Sequence, residues 1–134
     1  MKLLSKVFVS LALMVAMVNA HAFDKEPFTQ ERFDELQADG AVILVDVFAT
    51  WCPTCAKQQK AIAAYVEANP DTKFHVLVVD FDENKDIVRQ LRAPRQSTLL
   101  LYKGNEQFWF SVAESRPEVI AAELDKAINF KPKS

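Results

Sequence analysis

The chain has 134 residues, of which 50% are hydrophobic and 25% are charged, which is the composition of an ordinary globular protein. This length is enough for one domain and too short for two, and the composition excludes a disordered chain, collagen, a coiled coil and a multi-helix membrane protein. The 16 basic and 18 acidic residues give a net charge of −2, which does not favour electrostatic binding of nucleic acid.

The first 22 residues predict a cleavable signal peptide. Lys2 and Lys6 supply a positive start, Val7 to Val18 is an apolar run of about a dozen residues, and Ala20 to Ala22 (AHA) is a small-x-small cleavage site. A retained membrane anchor is the alternative, but a membrane-spanning helix needs about 20 apolar residues and this run is shorter. A buried helix of the fold is the third alternative.

Cleavage would leave one domain, residues 23–134, that begins at Phe23, or at His21 if the cut follows Ala20. Because Lys2 and Lys6 lie in the leader, the remaining 14 basic and 18 acidic residues give a net charge of −4. We therefore expect a periplasmic or secreted protein, in a compartment where disulfides persist.

The first elements of the domain are a short helix and a buried strand. Thr29 can cap the helix, Phe33 and Leu36 form its apolar face, and Gly40 supplies the left-handed residue that ends it. Ala41 to Ala49 (AVILVDVFA) is apolar apart from one Asp. This run predicts a central strand that is covered on both faces.

The middle of the domain predicts helix, strand and helix. A long helix extends from Cys52 to Ala68, with Pro53 in its first turn, where the missing N–H group costs nothing. Lys73 to Phe81 (KFHVLVVDF) predicts a second buried strand, and Asn84 to Leu91 predicts a short helix.

The end of the domain predicts a hairpin and a final helix. Ser97 to Lys103 and Glu106 to Val112 read as strands joined by a turn at Gly104-Asn105. Ser115 to Glu118 (SRPE) reads as a capping box that opens an amphipathic helix ending near Asn129. Helices that separate strands imply parallel crossovers, so the order of elements predicts an α/β domain with a small mixed sheet between helices.

Cys52 and Cys55 are the only cysteines, and they stand where the central strand gives way to the long helix. The N–H groups and the dipole at a helix N-terminus stabilise a thiolate, so we expect Cys52 to have a lowered pKa and to act as a nucleophile. Cys55 lies one turn further along, close enough to attack a mixed disulfide on Cys52 and release the partner. The pair predicts thiol–disulfide exchange.

Three other uses of the cysteine pair agree less well with the sequence. A structural zinc site needs four ligands, and the domain adds only His75, in mid-strand, to the two thiols; we expect that histidine to be structural. A purely structural disulfide closing so short a loop would add little stability. A c-type haem site needs His after the second cysteine, where this chain has Ala56. We expect no metal and no cofactor beyond the redox-active disulfide itself.

Val45 to Cys55 (VDVFATWCPTC) resembles the active-site strand and turn of the thioredoxin family, and Ser97 to Gly104 (STLLLYKG) is similar to the strand and turn opposite that site. The resemblance covers essentially the whole domain. It implies a thioredoxin fold, with a central mixed sheet of about four strands flanked by helices, in which Cys52 attacks and Cys55 resolves. The string Ala49 to Cys55 is particularly similar to exported thioredoxin-like reductases of cytochrome c maturation, which usually carry an insertion that this chain lacks.

Asp46 lies within the apolar strand, where an ionised carboxylate is costly, so it should be neutral with a raised pKa, or paired. In the resemblance it matches the family's buried Asp, which lies behind the resolving cysteine and helps to move its proton. The family often has a lysine on the adjacent strand, where this chain has Val78, so we expect a still higher pKa for Asp46. An Asp that faces a loop or an edge is the alternative.

Trp51 is expected to cover the disulfide and to offer a flat contact surface, with simple core packing as the alternative. We count Pro53 and Thr54, between the cysteines, as further predicted substrate contacts. Phe48 is assigned to the core.

The loop that faces the cysteines departs from the family pattern. The family places a cis-proline directly before the Thr matched by Thr98, and this chain has Ser97 there. A cis bond before a residue other than proline costs about 3–4 kcal/mol, so we expect the Gln96–Ser97 bond to be trans or strained. In an alternative register Pro94 is the cis-proline. We predict that Arg95, Gln96, Ser97 and Thr98 contact substrate.

Losing that proline would loosen substrate docking, and it could open the thiols to a metal, including a site shared between two chains. Three arginines lead into the loop, Arg89, Arg92 and Arg95. They either form a solvated helix face or, in the case of Arg95, provide a charge that favours the Cys52 thiolate and attracts acidic partner segments. The run Phe108-Trp109-Phe110 is expected to alternate between the two faces of the last strand. It would either form a partly exposed contact patch or pack under the last helix.

These features predict a periplasmic thiol–disulfide oxidoreductase, acting as a reductase of protein disulfides in cytochrome c maturation or oxidative protection. Pro53-Thr54 lacks the histidine that stabilises the thiolate in strongly oxidising relatives, which favours the reductase. Its partners would be protein thiols and disulfides and a membrane thiol electron transporter, and we expect a monomer without nucleic acid and without membrane insertion after cleavage. A dithiol oxidase of exported proteins, and a redox-inert or metal-binding module with the same fold, are the alternatives.

Overall fold

The computed structural model describes residues 25–131. The predicted signal peptide, residues 1–22, lies outside the described residues and stays a prediction. Within the described range, no helix is both long enough and apolar enough to cross a bilayer.

Within residues 25–131, five strands form one mixed sheet, one more than the four or so expected, with the spatial order β1-β3-β2-β4-β5. β1 and β2 each pair in parallel with β3, β4 pairs antiparallel with β2, and β5 pairs antiparallel with β4. The strands are Lys25–Pro27 (β1), Val42–Phe48 (β2), His75–Asp80 (β3), Thr98–Lys103 (β4) and Glu106–Val112 (β5). The helices are Gln30–Ala38 (α1), Pro53–Ala68 (α2), Lys85–Gln90 (α3) and Pro117–Asn129 (α4). The α/β architecture and the closing hairpin predicted from the sequence are confirmed.

β1 is a strand that the sequence analysis missed. Its three residues, Lys-Glu-Pro, have no apolar alternation, and a proline at a sheet edge is compatible with a strand because it need not donate a ladder hydrogen bond. Glu26 accepts a hydrogen bond from Arg32 of α1 at 2.8 Å and lies 3.8 Å from His75 Nδ1 of β3. β1 is therefore held by backbone pairing and polar contacts, which leave no hydrophobic signal in the sequence.

β2 is the central strand, and its alternate side chains enter two separate apolar clusters. Ile43, Val45 and Val47 pack on one side with α1 and α3, whereas Val42 and Leu44 pack on the other side with α2 and α4. Asp46 continues the second series, so it faces α2. The predicted strand covered on both faces is confirmed.

α1 begins as the sequence predicts, because Thr29 Oγ1 accepts the Arg32 N–H at 3.1 Å. α4 does not: its N-cap is Arg116, and no side chain caps it, so the predicted capping box at Ser115 is wrong. Glu114 instead accepts the backbone N–H and the guanidinium of Arg116, at 2.9 and 3.0 Å, so it fixes the N-cap residue without capping the helix itself.

The predicted packing under the last helix is confirmed for Phe108 and Trp109, whereas the predicted alternation holds for Trp109 and Phe110 but fails for Phe108, and a bulge explains this. Trp109 pairs with Leu101, but the next pair joins Gln107 to Tyr102, so Phe108 is an extra residue in β5. Phe108 and Trp109 consequently both pack on the cluster beneath α4, and Phe110 is left 43% exposed.

Candidate active site

The predicted site residues lie at one end of the sheet because of its topology. β2 and β3 run in the same direction and both end there, while β4 begins there: Phe48 pairs with Asp80, and Val47 pairs with Thr98. The turn into α2, the turn after β3 and the loop before β4 therefore meet at this edge.

Cys52 caps the N-terminus of α2. Its backbone is extended, at φ −91° and ψ 109°, and its Sγ accepts the Cys55 N–H at 3.1 Å. This is the geometry of an N-cap side chain, with sulfur in the place of the usual oxygen. The helix therefore directs a backbone donor at the Cys52 sulfur, as the cysteine spacing predicts.

Cys52 and Cys55 form a disulfide, with their Cα atoms 5.3 Å apart. Both residues are buried, Cys52 at 6% exposure and Cys55 at 1%. Of the two, Cys55 is the more enclosed, so a partner approaching from solvent meets Cys52 first. Among residues 25–131, no group of three or more His, Cys, Asp or Glu side chains is arranged to hold a metal ion.

Trp51 stands beside the cysteine pair and is 60% exposed, which rules out the core-packing alternative. Its indole N–H donates to Asp82 Oδ2 at 2.7 Å, and Asp80 in turn accepts the backbone N–H of Asp82 at 2.9 Å. The ring is thus held by the turn after β3. This contact could not be predicted from the sequence, because the two partners are 31 residues apart. Pro53 is exposed next to it.

Asp46 is fully buried, and neither of its carboxylate oxygens has a hydrogen-bond partner among the described residues. Burial raises the pKa of Asp46 to about 6, while the positive charge of Lys25 and the Gln59 side chain act in the opposite direction. The predicted raised pKa is confirmed, and the alternative of an Asp at a loop or an edge is wrong. A pKa of about 6 leaves the carboxyl largely ionised at neutral pH, so the expectation of a neutral Asp46 is wrong.

Lys25 stands in a place that the sequence analysis did not consider. Val78 pairs with Asp46, as expected, and leaves no cation at that position. Lys25 pairs with Val76, two residues before Val78 on the same face of β3, so β1 brings a positive charge to the face that carries Asp46. This charge could not be foreseen without the β1 strand.

In the loop before β4, Ser97 occupies the position at which the family has its cis-proline. β4 begins at Thr98, and no peptide bond is cis among the residues that the structure describes, so the Pro94 register is wrong and Gln96–Ser97 is trans as expected. Ser97 has φ +61°, in the left-handed region, and its N–H donates to Val47 O at 2.8 Å. Proline could provide neither that N–H nor that φ angle.

The four predicted contacts of this loop differ in access. Ser97 and Thr98 are fully buried, and the Thr98 hydroxyl donates to the Arg95 carbonyl at 2.6 Å. Arg95 is exposed and Gln96 is half-buried, so these two side chains form the surface of the loop. Contact between any of the four and a substrate stays a prediction.

The other two arginines near the loop are on the surface. Arg89 pairs with Asp86 within α3, and Arg92 is exposed with φ +55°, one residue beyond the C-cap of that helix. Both therefore match the solvated-face alternative.

Gln58 is a polar residue at the site that the sequence analysis missed. It lies one turn after Cys55 on α2, is fully buried, and donates from Nε2 to the carbonyls of Ser97 and Glu114 at 3.0 and 2.8 Å. A glutamine three residues after Cys55, on the inner face of an amphipathic helix, was the available signal.

Ser97→Pro, which restores the family residue, is expected to lower the free energy of unfolding by about 3 kcal/mol or more, because it removes the donor to Val47 and cannot adopt φ +61°. Ser97→Gly is expected to leave stability unchanged or raise it by about 1 kcal/mol, because glycine adopts positive φ without strain. Urea unfolding of the oxidised variants, with Ser97→Ala as the hydroxyl control, measures both effects. A proline variant as stable as the wild type would contradict this account of the loop.

Asp46→Asn is expected to stabilise the oxidised protein near neutral pH. Because the native carboxyl holds its proton up to about pH 6 and the unfolded one releases it near 3.8, wild-type stability should fall as pH rises between these values and then level off. The difference corresponds to about 3 kcal/mol above pH 6 and should vanish below about pH 4. Urea unfolding at both pH values measures it, and an equal gain at both would exclude ionisation as the cause.

Comparison with known proteins agrees with this geometry. The sequence model of the thioredoxin family matches residues 24–126. Thioredoxin of Staphylococcus haemolyticus is 35% identical over 101 residues, which are 73% of this chain and 92% of that protein. Thioredoxin-2 of Pyricularia oryzae is 34% identical over 79 residues, which are 59% of this chain but only 45% of the fungal protein.

A solved structure shows the same fold. The crystal structure of Trxlp from Edwardsiella tarda has a TM-score of 0.69 and 33% sequence identity, over 74% of this chain and 96% of that one. The family match spans the central sheet and the cysteine pair at the start of α2. The chain belongs to the thioredoxin family of thiol–disulfide oxidoreductases, and its sheet and helices form the thioredoxin fold.

Proposed function

We propose that this protein is an exported reductase of protein disulfides in which Cys52 attacks and Cys55 resolves. The observation that carries the proposal is the position of Cys52: its sulfur caps α2, accepts the Cys55 N–H and is bonded to the Cys55 sulfur. A sulfur placed in this way is stabilised as a thiolate when the disulfide opens.

The reaction begins with the reduced pair. The Cys52 thiolate attacks one sulfur of a partner disulfide, and the other partner sulfur leaves as a thiolate. Cys55 then loses its proton and attacks Cys52, so the first partner sulfur leaves in turn. Two electrons pass to the partner, which becomes a dithiol, and the Cys52–Cys55 disulfide is formed.

Asp46 is proposed to accept the proton of Cys55. The enclosed Cys55 sulfur has little access to water, so its deprotonation needs a base on the protein side. Asp46 faces α2 from the central strand, and a pKa of about 6 keeps its carboxyl largely ionised at neutral pH and yet able to hold a proton. Lys25 favours the ionised form, and so favours the state that can receive the proton.

The exposed side chains around Cys52 support a protein as the substrate. Trp51 and Pro53 lie on the side of the pair that opens to solvent, and Arg95 and Gln96 form the surface of the facing loop. A flat aromatic ring with polar neighbours suits an extended segment of another protein.

The direction and the location are further parts of the proposal. Pro53-Thr54 carries no imidazole that could stabilise the thiolate more strongly, which favours a reductase. The residues 1–22 leader and the string ATWCPTC support a place in the periplasm, in cytochrome c maturation or oxidative protection. A reductase in that oxidising compartment would need electrons from a membrane thiol transporter.

Reduction of insulin by dithiothreitol tests the exchange reaction. The wild-type protein is expected to accelerate the precipitation of insulin, because Cys52 attacks its disulfides, and Cys52→Ser is expected to show the uncatalysed rate. Cys55→Ser should instead accumulate a mixed disulfide between Cys52 and the partner, visible on a non-reducing gel. Equal precipitation rates for wild type and Cys52→Ser would exclude the proposed reductase and favour the redox-inert module.

The reduction potential of the Cys52–Cys55 pair tests the direction. Equilibration with glutathione buffers is expected to give a value of about −270 mV, typical of a reductase, because no charged group lies between the cysteines. A value of about −120 mV would identify a dithiol oxidase instead. Alkylation of the free thiols followed by mass measurement provides the readout, with Cys55→Ser as the control that cannot form the intramolecular bond.

A further inference from the structure

Gln58 joins three parts of the active-site end that are far apart in sequence. Its side chain lies on α2, the same helix that carries Cys52 and Cys55, and it is fully buried. One amide nitrogen donates to the carbonyl of Ser97, in the loop before β4, and to the carbonyl of Glu114, in the connection after β5. Both N–H groups of the amide can thus be used within one bridge.

The two segments that Gln58 holds also contact each other. The Ala113 N–H donates to the Ser97 carbonyl at 2.8 Å, so that carbonyl accepts one bond from Ala113 and one from Gln58. The carbonyl has two acceptor sites, and both are filled. The loop before β4 is therefore fixed to the end of β5 and to α2 through a single backbone group.

Both segments contain a residue in the left-handed region that is not glycine. Ser97 has φ +61° and Ala113 has φ +64°. Such conformations are strained for residues with a side chain and persist only where the surroundings impose them. Gln58 contacts the carbonyl of the first residue and the carbonyl directly after the second, which is where an imposed constraint is needed.

Gln58 is an unfavourable residue on stability grounds alone. Its Oε1 atom is buried without a hydrogen-bond partner among residues 25–131, and an apolar side chain on this inner helix face would avoid that cost. The position is therefore better explained by what the amide nitrogen holds than by core packing.

We infer that Gln58 is a positioning residue that sets the loop of Arg95, Gln96 and Ser97 at a fixed distance from the cysteine pair, and so determines how well protein disulfides dock. The bridge replaces the rigidity that a proline would give this loop. Because the cysteines and Gln58 lie on the same helix, the bridge fixes the position of the loop relative to the reacting sulfurs. The inference rests on the proposed disulfide exchange and adds a determinant of its protein specificity.

Steady-state reduction of two substrates tests the inference, with dithiothreitol as the reductant of the Cys52–Cys55 pair and the rate without protein subtracted. Gln58→Met keeps the length of the side chain and removes the donor, so the loop should lose its hydrogen bond to α2 and its fixed position relative to that helix. We expect KM for insulin to rise about tenfold, because the docking surface is misplaced, while kcat and the rate with a small aromatic disulfide stay within about twofold of wild type. The small disulfide reaches Cys52 without using the loop.

Tyr65→Phe is the matched control, because it removes another hydrogen bond of α2, from the Tyr65 hydroxyl to Asp125 at 2.7 Å, and leaves the loop untouched. It should keep the insulin KM of the wild type even if its melting temperature falls. If Gln58→Met slows insulin and the small disulfide by the same factor, or changes neither, Gln58 only packs the core and the inference is wrong.

Amide hydrogen exchange separates this result from a failure of the proposed function. In Gln58→Met the Ser97 and Ala113 amides should exchange faster than in wild type, whereas unchanged exchange there would overturn the inference. If Gln58→Met does not fold, Gln58→Asn gives the same comparison, because its amide is one methylene too short to reach both carbonyls. A wild-type protein that fails to reduce insulin would refute the oxidoreductase proposal, and the exchange data would still decide the role of Gln58.

Discussion

The contact between the Cys52 sulfur and the Cys55 backbone N–H is the interaction on which the rest of the site depends. It makes a cysteine serve as the cap of α2, so the residue that begins the helix is also the residue that reacts. Pro53 occupies the first helical position at no cost, because the N–H group that its ring lacks would have no partner within the helix there. The central strand β2 then fixes where that helix begins, because it is buried on both faces and cannot shift in register.

The same buried strand carries a carboxyl group at a cost to stability. Asp46 occupies a position in the apolar series of β2 where a valine or leucine would pack without penalty, and no described side chain compensates both of its oxygens. Lys25, from the edge strand, provides a cation in place of one on the neighbouring strand. Proteins retain such unfavourable groups chiefly where they are used, which is consistent with proton transfer at Cys55.

Much of the fold could be predicted from the sequence because its signals are local. The apolar run of β2, the Gly104-Asn105 turn and the Thr29 cap each depend on a few neighbouring residues, and all three elements are present. β1 and the bulge at Phe108 depend on pairing with distant strands, so no local pattern reveals them. In the site, the cysteines could be found by spacing, whereas Gln58 and Lys25 act through contacts that only the assembled sheet and helices create.

The pH dependence of alkylation of the reduced protein tests the central claim most directly. If α2 stabilises the Cys52 thiolate, iodoacetamide at about pH 6 should modify Cys52 and leave the enclosed Cys55 free, as shown by peptide mass mapping. The modification rate should change little until the pH is lowered well below the range in which an ordinary thiol of pKa about 8.5 loses its reactivity. Equal labelling of the two cysteines, or a Cys52 rate that follows an ordinary thiol, would contradict the account.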